Sequence, residues 1–282
     1  NDRDRTIADW KASDGRDWVD QMLLGGMLTA AERGYRMIFE LVDTHSDHVE
    51  RELGAALSAL QPDGVIVTPP HSENAQIVGL LAERGIPFAR IGSKDDGPGI
   101  AMTMGDEMLA MKATDHLIEL GHERIGFIAG PDGYSLSGWR VDGWQQAMAN
   151  ADFGCEDLCE KGDFGFESGL HAARKLLDRD DRPTAIIASS DQMALATLEV
   201  ARERGLDVPH DLSIVSFDNT PIVRFTTPAL TALDQPIAAT AARAVEMLID
   251  ARKDESQTEP VVVEGELVVR GSTARVLNHG NA

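Results

Sequence analysis

Residues 213–218 read Ser-Ile-Val-Ser-Phe-Asp, a short apolar run that stops at Asp218-Asn219. An acid and an amide at the carboxyl end of a buried strand stand where open α/β sheets bind their ligands. The Asp218 carboxylate could accept from two hydroxyls at that mouth; the pair could equally start a turn by bonding its own backbone. Arg140 is the second such group. It opens an expected amphipathic helix, Arg140–Ala149, behind the glycine- and serine-bearing stretch Gly133–Gly138. A cation at a helix start opposes the dipole, so it needs a compensating partner. That partner is a ligand or a carboxylate such as Asp218; the alternative is an exposed Arg paired with a surface acid.

Other chemistries find no support. No His has an acid and a nucleophile at catalytic spacing, so no catalytic residue is expected. Cys155 and Cys159 lack a second Cys or His cluster and read as two free thiols; neither a metal nor a cofactor is expected. Gly130-Pro131-Asp132-Gly133 lacks the Gly-Lys-Ser/Thr ending of a phosphate loop. Gly25-Gly26 falls inside a helix, where a dinucleotide-binding enzyme needs a strand-to-helix glycine turn.

The elements that must carry these groups alternate along the chain. Strands are expected at Met37–Leu41, Gly64–Thr68, Phe88–Ile91, Arg124–Ala129, Thr184–Ala188 and Ser213–Phe217, with Thr6–Asp9 a weak first strand. Amphipathic helices are expected at Val19–Arg33, Val49–Leu60, Glu73–Arg84, Asp106–Leu120, Arg140–Ala149, Glu167–Leu177 and Asp191–Arg204. This alternation, with nearly continuous apolar strands, predicts α/β architecture with parallel sheets flanked by helices. Gly34, Gly85, Gly121 and Gly205 each follow a helical pattern and mark its stop. Ile237–Ala251 reads as an Ala-rich helix, followed by strands at Val261–Glu264 and Leu267–Arg270, so the chain is expected to cross between subdomains more than once.

The 282 residues suffice for two subdomains. The formal charge of −21 repels phosphate backbones, and no run of Lys and Arg could neutralise several phosphates. No apolar run reaches the roughly 20 residues that span a bilayer, so no membrane partner is expected.

Four segments carry a resemblance. The passage Val208–Pro236 (VPHDLSIVSFDNTPIVRFTTPALTALDQP) resembles the effector-sensing half of LacI-family transcriptional regulators. So do Leu117–Ile125 (LIELGHERI, running into Phe127-Ile128-Ala129-Gly130), Arg140-Val141-Asp142-Gly143-Trp144, and Leu267–Thr273 (LVVRGST). The resemblance implies a fold shared with type I periplasmic binding proteins: two similar subdomains, three crossovers and a ligand cleft. The first subdomain would comprise 1–104 and 236–254, the second 105–235 and 255–282. The family's DNA-binding helix-turn-helix headpiece would lie outside this chain.

It also implies roles, residue by residue. Asp218 and Arg140 match the family's ligand-contacting Asp and Arg, and Phe164 a stacking aromatic. Trp18 falls near a pocket aromatic, although 13–17 depart from the usual pattern and a packing plug fits as well. Ser190 stands where the family usually has Asn near the ligand, with Asp191 read as a helix cap. Thr68 and Gln235 are further pocket candidates, and Gly92 replaces an Asp found in some sugar-responsive members. The expected function is the effector-binding and dimerisation core of a cytoplasmic, non-enzymatic regulator. Its effector would be a sugar or sugar derivative, with nucleobases and nucleosides the second class. Operator DNA is reached through the headpiece, and a homodimer would pair through flanking helices, the face of Glu73–Arg84 being one candidate. The alternative is a periplasmic sugar-binding protein feeding a transporter.

Overall fold

The fold comes from a computed structural model that describes residues 17–42, 48–251 and 260–276. The chain forms two compact units: Asn1–Met104 with Pro236–Glu264, and Gly105–Gln235 with Gly265–Ala282. The return crossing thus falls after Glu264 and not after 254. The reason is that β9 (Val261–Val262) pairs in parallel with β3 (Ile100–Thr103) of the first unit.

Among the described residues, unit 1 holds a four-stranded parallel sheet in the order β1-β2-β3-β9, with β1 Val65–Val67 and β2 Phe88–Ile91. Helices α1 (Asp17–Glu32), α2 (Val49–Leu60), α3 (Ala75–Glu83) and α8 (Ile237–Ala251) belong to it. The expected strand Met37–Leu41 is not assigned as a strand; the adjoining Val42 forms a bridge. The expected first strand, Thr6–Asp9, lies outside the described residues. An apolar cavity of about 570 Å³ opens between this stretch and β1, lined by Met37, Phe39, Val65, Val67, Leu53 and Leu57 among others.

On the expected helix Glu73–Arg84, Ile77 and Leu81 turn inward, while Val78 and Leu80 are half-buried. The exposed apolar stripe lies on α1, where Leu24, Met27 and Leu28 follow helical spacing and are 58%, 52% and 57% exposed.

Unit 2 holds six strands in the order β10-β8-β7-β6-β4-β5. They are β4 Ile125–Ala129, β5 Cys159–Lys161, β6 Ala185–Ala188, β7 Ser213–Asp218, β8 Thr231–Asp234 and β10 Glu266–Val268. All pairings are parallel except β10 with β8, which is antiparallel, so the closing segment forms a reversed edge. Strands β4, β6 and β7 are buried along almost their whole length, as their unbroken apolar runs require. Helices α4 (Asp106–Glu119), α5 (Ser135–Asn150), α6 (Phe166–Leu177) and α7 (Asp191–Glu203) cover them.

Strands β3, β5 and β8 lie outside the expected strand ranges. The four glycine helix stops do adopt positive φ: 80° at Gly34, 63° at Gly85, 90° at Gly121 and 65° at Gly205.

Candidate functional site

Because β4, β5, β6, β7 and β8 run parallel, their carboxyl ends share one edge of the unit 2 sheet. That edge collects Phe164 beyond β5, Ser189 and Ser190 beyond β6, Asp218 ending β7 and Gln235 beyond β8. Such an edge is the ligand side of an open α/β sheet.

Arg140 is the hub. Helix α5 starts at Ser135, five residues earlier than expected, so Arg140 stands in its second turn and not at its start. It is 2% exposed. Its Nε donates to Asp106 Oδ1 at 2.8 Å, Nη1 to the Ser189 carbonyl at 2.7 Å and Nη2 to Gln235 Oε1 at 3.2 Å. Gln235 Nε2 closes the triangle on Asp106 Oδ1 at 2.8 Å. The guanidinium carbon sits 4.3 Å from the Phe217 ring centre and 5.8 Å from that of Phe164.

The motif Arg140-Val141-Asp142-Gly143-Trp144 explains this placement. A Cβ at residue 143 would come within 2.0 Å of the Glu107 carbonyl oxygen, so only glycine lets α5 lie this close to the first turn of α4. One turn away, that approach brings Arg140 onto Asp106, the first residue of α4. Trp144 anchors the helix by donating to the Ile125 carbonyl at 3.2 Å.

Asp218 faces this hub with a φ of 90°, and Asn219 follows at 58°. Burial first, and then the charge of Asp191, push the Asp218 carboxyl up to about 7, with Arg140 pulling the other way. Asp191 is raised too, mainly by burial. Expected as a helix cap, Asp191 instead holds the turn after β7. Its Oδ2 accepts from the Thr220 amide and hydroxyl, both at 2.7 Å, and its Oδ1 accepts from the Ser216 hydroxyl. The cap of α7 is Ser190, whose hydroxyl accepts from the Met193 amide at 3.2 Å and donates to the Phe164 carbonyl at 2.9 Å. Both of its capacities are therefore used within the protein.

Among the described residues, Asp106 Oδ2, Ser137 Oγ and Ser189 Oγ are buried here without a protein hydrogen-bond partner. Buried polar atoms of this kind call for a partner from outside the chain. Asp106, Ser137 and Ser189 were not singled out from sequence. The one available signal was Asp106 opening a helix, and it has the same appearance as an ordinary first-turn acid.

Unit 2 thus brings together Asp218, Arg140, Phe164, Ser190 and Gln235, the last as a support of Arg140. Trp18 and Thr68 belong to unit 1. Trp18 packs against the cluster of Met22, Ile91, Met104 and Ile237, and both Trp18 and Thr68 line the unit 1 cavity.

His122 bonds Thr184, Ser213 and the Ala274 carbonyl, and burial lowers its pKa. The free thiol of Cys159 is pushed up to about 11, chiefly by burial. Among the described residues, no group of His, Cys, Asp and Glu could hold a metal, and no helix is long and apolar enough to cross a membrane.

Residues 114–273 match the sequence profile of the periplasmic binding protein-like domain. An HTH-type transcriptional regulator in the aml 5' region of Streptomyces limosus is 41% identical over 202 residues, which are 69% of this chain and 57% of that protein. The HTH-type transcriptional repressor CytR of Escherichia coli K12 is 31% identical across 91% of this chain and 75% of its own length. The HTH-type transcriptional regulator CelR of Thermobifida fusca is 32% identical across 89% of this chain and 74% of its own length. A CelR–cellobiose complex superposes with a TM-score of 0.80 at 32% identity, covering 90% of this chain and 79% of that one.

Proposed function

The chain belongs to the LacI family of transcriptional regulators, and we propose from that membership that it is the effector-binding core of such a regulator, taking a neutral, hydroxyl-rich sugar at the unit 2 sheet edge. The observation that carries this reading is the Arg140 hub: a buried guanidinium with Asp218 and the unpartnered Asp106 Oδ2, Ser137 Oγ and Ser189 Oγ about it. Carboxylate oxygens accept from vicinal hydroxyls, serine hydroxyls both accept and donate, and Phe164 offers a face for C–H surface. The cellobiose held by the similar CelR agrees with a sugar. Asp218 and Arg140 are the primary contacts, Phe164 the stacking aromatic, and Gln235 a support of Arg140.

Charge selects within the sugars. Asp106 and Asp218 face the Arg140 guanidinium and Asp191 stands beside Asp218, so an added phosphate meets carboxyl groups that oppose its charge in a site of low dielectric. A thermal-shift panel tests this. Cellobiose and other neutral sugars at 100 times their dissociation constant stabilise by about 2.7 kcal/mol, whereas glucose 6-phosphate and related sugar phosphates leave the melting temperature unmoved. Stabilisation by the phosphates alone would overturn the neutral-polyol reading.

Operator DNA is reached through a headpiece outside this chain, consistent with the charge of −21 carried by these residues. The assembly is a homodimer, and the apolar α1 stripe Leu24–Met27–Leu28 supports pairing on this face. Sedimentation velocity should give twice the chain mass of 30.5 kDa. A monomer at micromolar concentration would overturn the homodimer.

A further inference from the structure

We propose that Asn219, gripped between Arg270 and Asp234, is the positioning residue that holds Asp218 in its ligand-contacting conformation. This rests on the reading of Asp218 as an effector contact. Asp218 and Asn219 are consecutive non-glycine residues with φ of 90° and 58°; Asn and Asp enter this region as single residues, and two in succession call for restraint from their surroundings.

The restraint comes from two sides. On one side, the Asp191 carboxylate accepts the backbone N–H groups of Asn219 and Thr220, and the Asp191 N–H donates to the Asp218 carboxylate. On the other side, Arg270 Nη2 donates to Asn219 Oδ1 at 2.6 Å, and Asn219 Nδ2 donates to Asp234 Oδ1 at 2.7 Å.

Both grips are themselves fixed. Arg270 donates Nη1 to the Leu230 carbonyl at 2.7 Å and its backbone N–H to Thr231 Oγ1 at 2.9 Å. Asp234 is the register partner of Asp218 on the neighbouring strand. Asn219 is also 7% exposed, so its amide cannot exchange these partners freely for water.

The bonds span 51 and 15 residues, so the side chain is not the local Asx turn that the sequence left open. They also account for the residue type. One end must accept from a guanidinium and the other must donate to a carboxylate, at a length that only asparagine meets from this backbone. An aspartate would set a second carboxylate against Asp234, and a serine would be too short to reach both.

Asn219→Gly tests the role, because glycine keeps the positive φ without cost while removing the clamp. The first readout needs no ligand: a carbon-13 NMR titration of the Asp218 carboxyl, assigned through Asp218→Asn. In Asn219→Gly the midpoint should fall by at least one pH unit as the carboxylate leaves Asp191 and its buried position, in a protein that still melts in one cooperative step. An unchanged midpoint overturns the proposal.

The second readout is calorimetric affinity for cellobiose. A loss of tenfold or more in both Asn219→Gly and Asp218→Asn supports the clamp. A loss in Asp218→Asn with full affinity in Asn219→Gly overturns the clamp and leaves the effector site standing. Equal affinity in all three proteins, or binding in none, counts against Asp218 as a cellobiose contact, and the titration still decides the positioning role.

Discussion

Replacing Asp218 by Asn should weaken sugar binding by 10- to 100-fold and, at pH 8, raise the melting temperature of the empty protein by several degrees. The two effects share one cause. Asp218 is raised from 3.8 to about 7 by burial and by the charge of Asp191, so its ionised form is disfavoured in the fold. A carboxyl whose folded pKa exceeds its unfolded value contributes stability that is full below 3.8 and lost as pH rises through the folded value. At pH 8 the natural chain therefore carries the whole penalty, on the order of 4 kcal/mol for a shift from 3.8 to about 7, and the Asn variant carries none of it. The gap should close as the pH falls to 4. Asparagine also tolerates a positive φ better than aspartate does. The loss in affinity, about 1.5–3 kcal/mol, is that of a charge-assisted bond to hydroxyl. Melting curves from pH 4 to pH 8 with a parallel sugar titration check both halves. Equal stability of the two proteins at pH 8 would mean that the Asp218 carboxylate pays no burial cost.

Arg140→Met should be the most damaging single change in unit 2. It leaves the Asp106 carboxylate, fully buried, with Gln235 Nε2 as its remaining side-chain donor. Removing one partner of a buried ion pair costs about 3–5 kcal/mol, against ordinary domain stabilities of about 5–15 kcal/mol. The variant should accumulate poorly or melt many degrees lower. The double variant Arg140→Met with Asp106→Asn removes both charges and should recover most of the stability, without recovering sugar binding. Arg140→Lys should sit between them, since an ammonium cannot reach three acceptors in the planar arrangement of a guanidinium. Urea midpoints measured on the three variants give the ranking. A single variant as stable as the double one would show that the Asp106–Arg140 bond contributes nothing to the fold.

The family and the α/β plan were legible because they rest on local patterns: apolar runs, helix periodicity and glycine stops. Asp218 and Arg140 stood out for the same reason, each being an unusual residue type at a recognisable place in an element. The supports of these residues were not legible. Asp106 reads as a first-turn acid, Asn219 as a turn residue and Asp191 as a cap, because each has a sufficient local explanation in the sequence. Met37–Leu41 reads as a strand from composition alone, and composition does not report the pairing that a strand requires.

By itself the sequence determined the alternation of strands and helices, the LacI-family membership, and the residue types able to hold a polyol. Only the tertiary structure decided that Arg140 is neutralised by Asp106 and supported by Gln235, that Asp191 serves the turn after β7, and that Asn219 answers to Arg270 and Asp234. The physical reason is distance along the chain. Helix and strand signals act over a few residues, whereas these bonds join groups 15 to 129 positions apart, which meet only once the parallel sheet has aligned its strand ends.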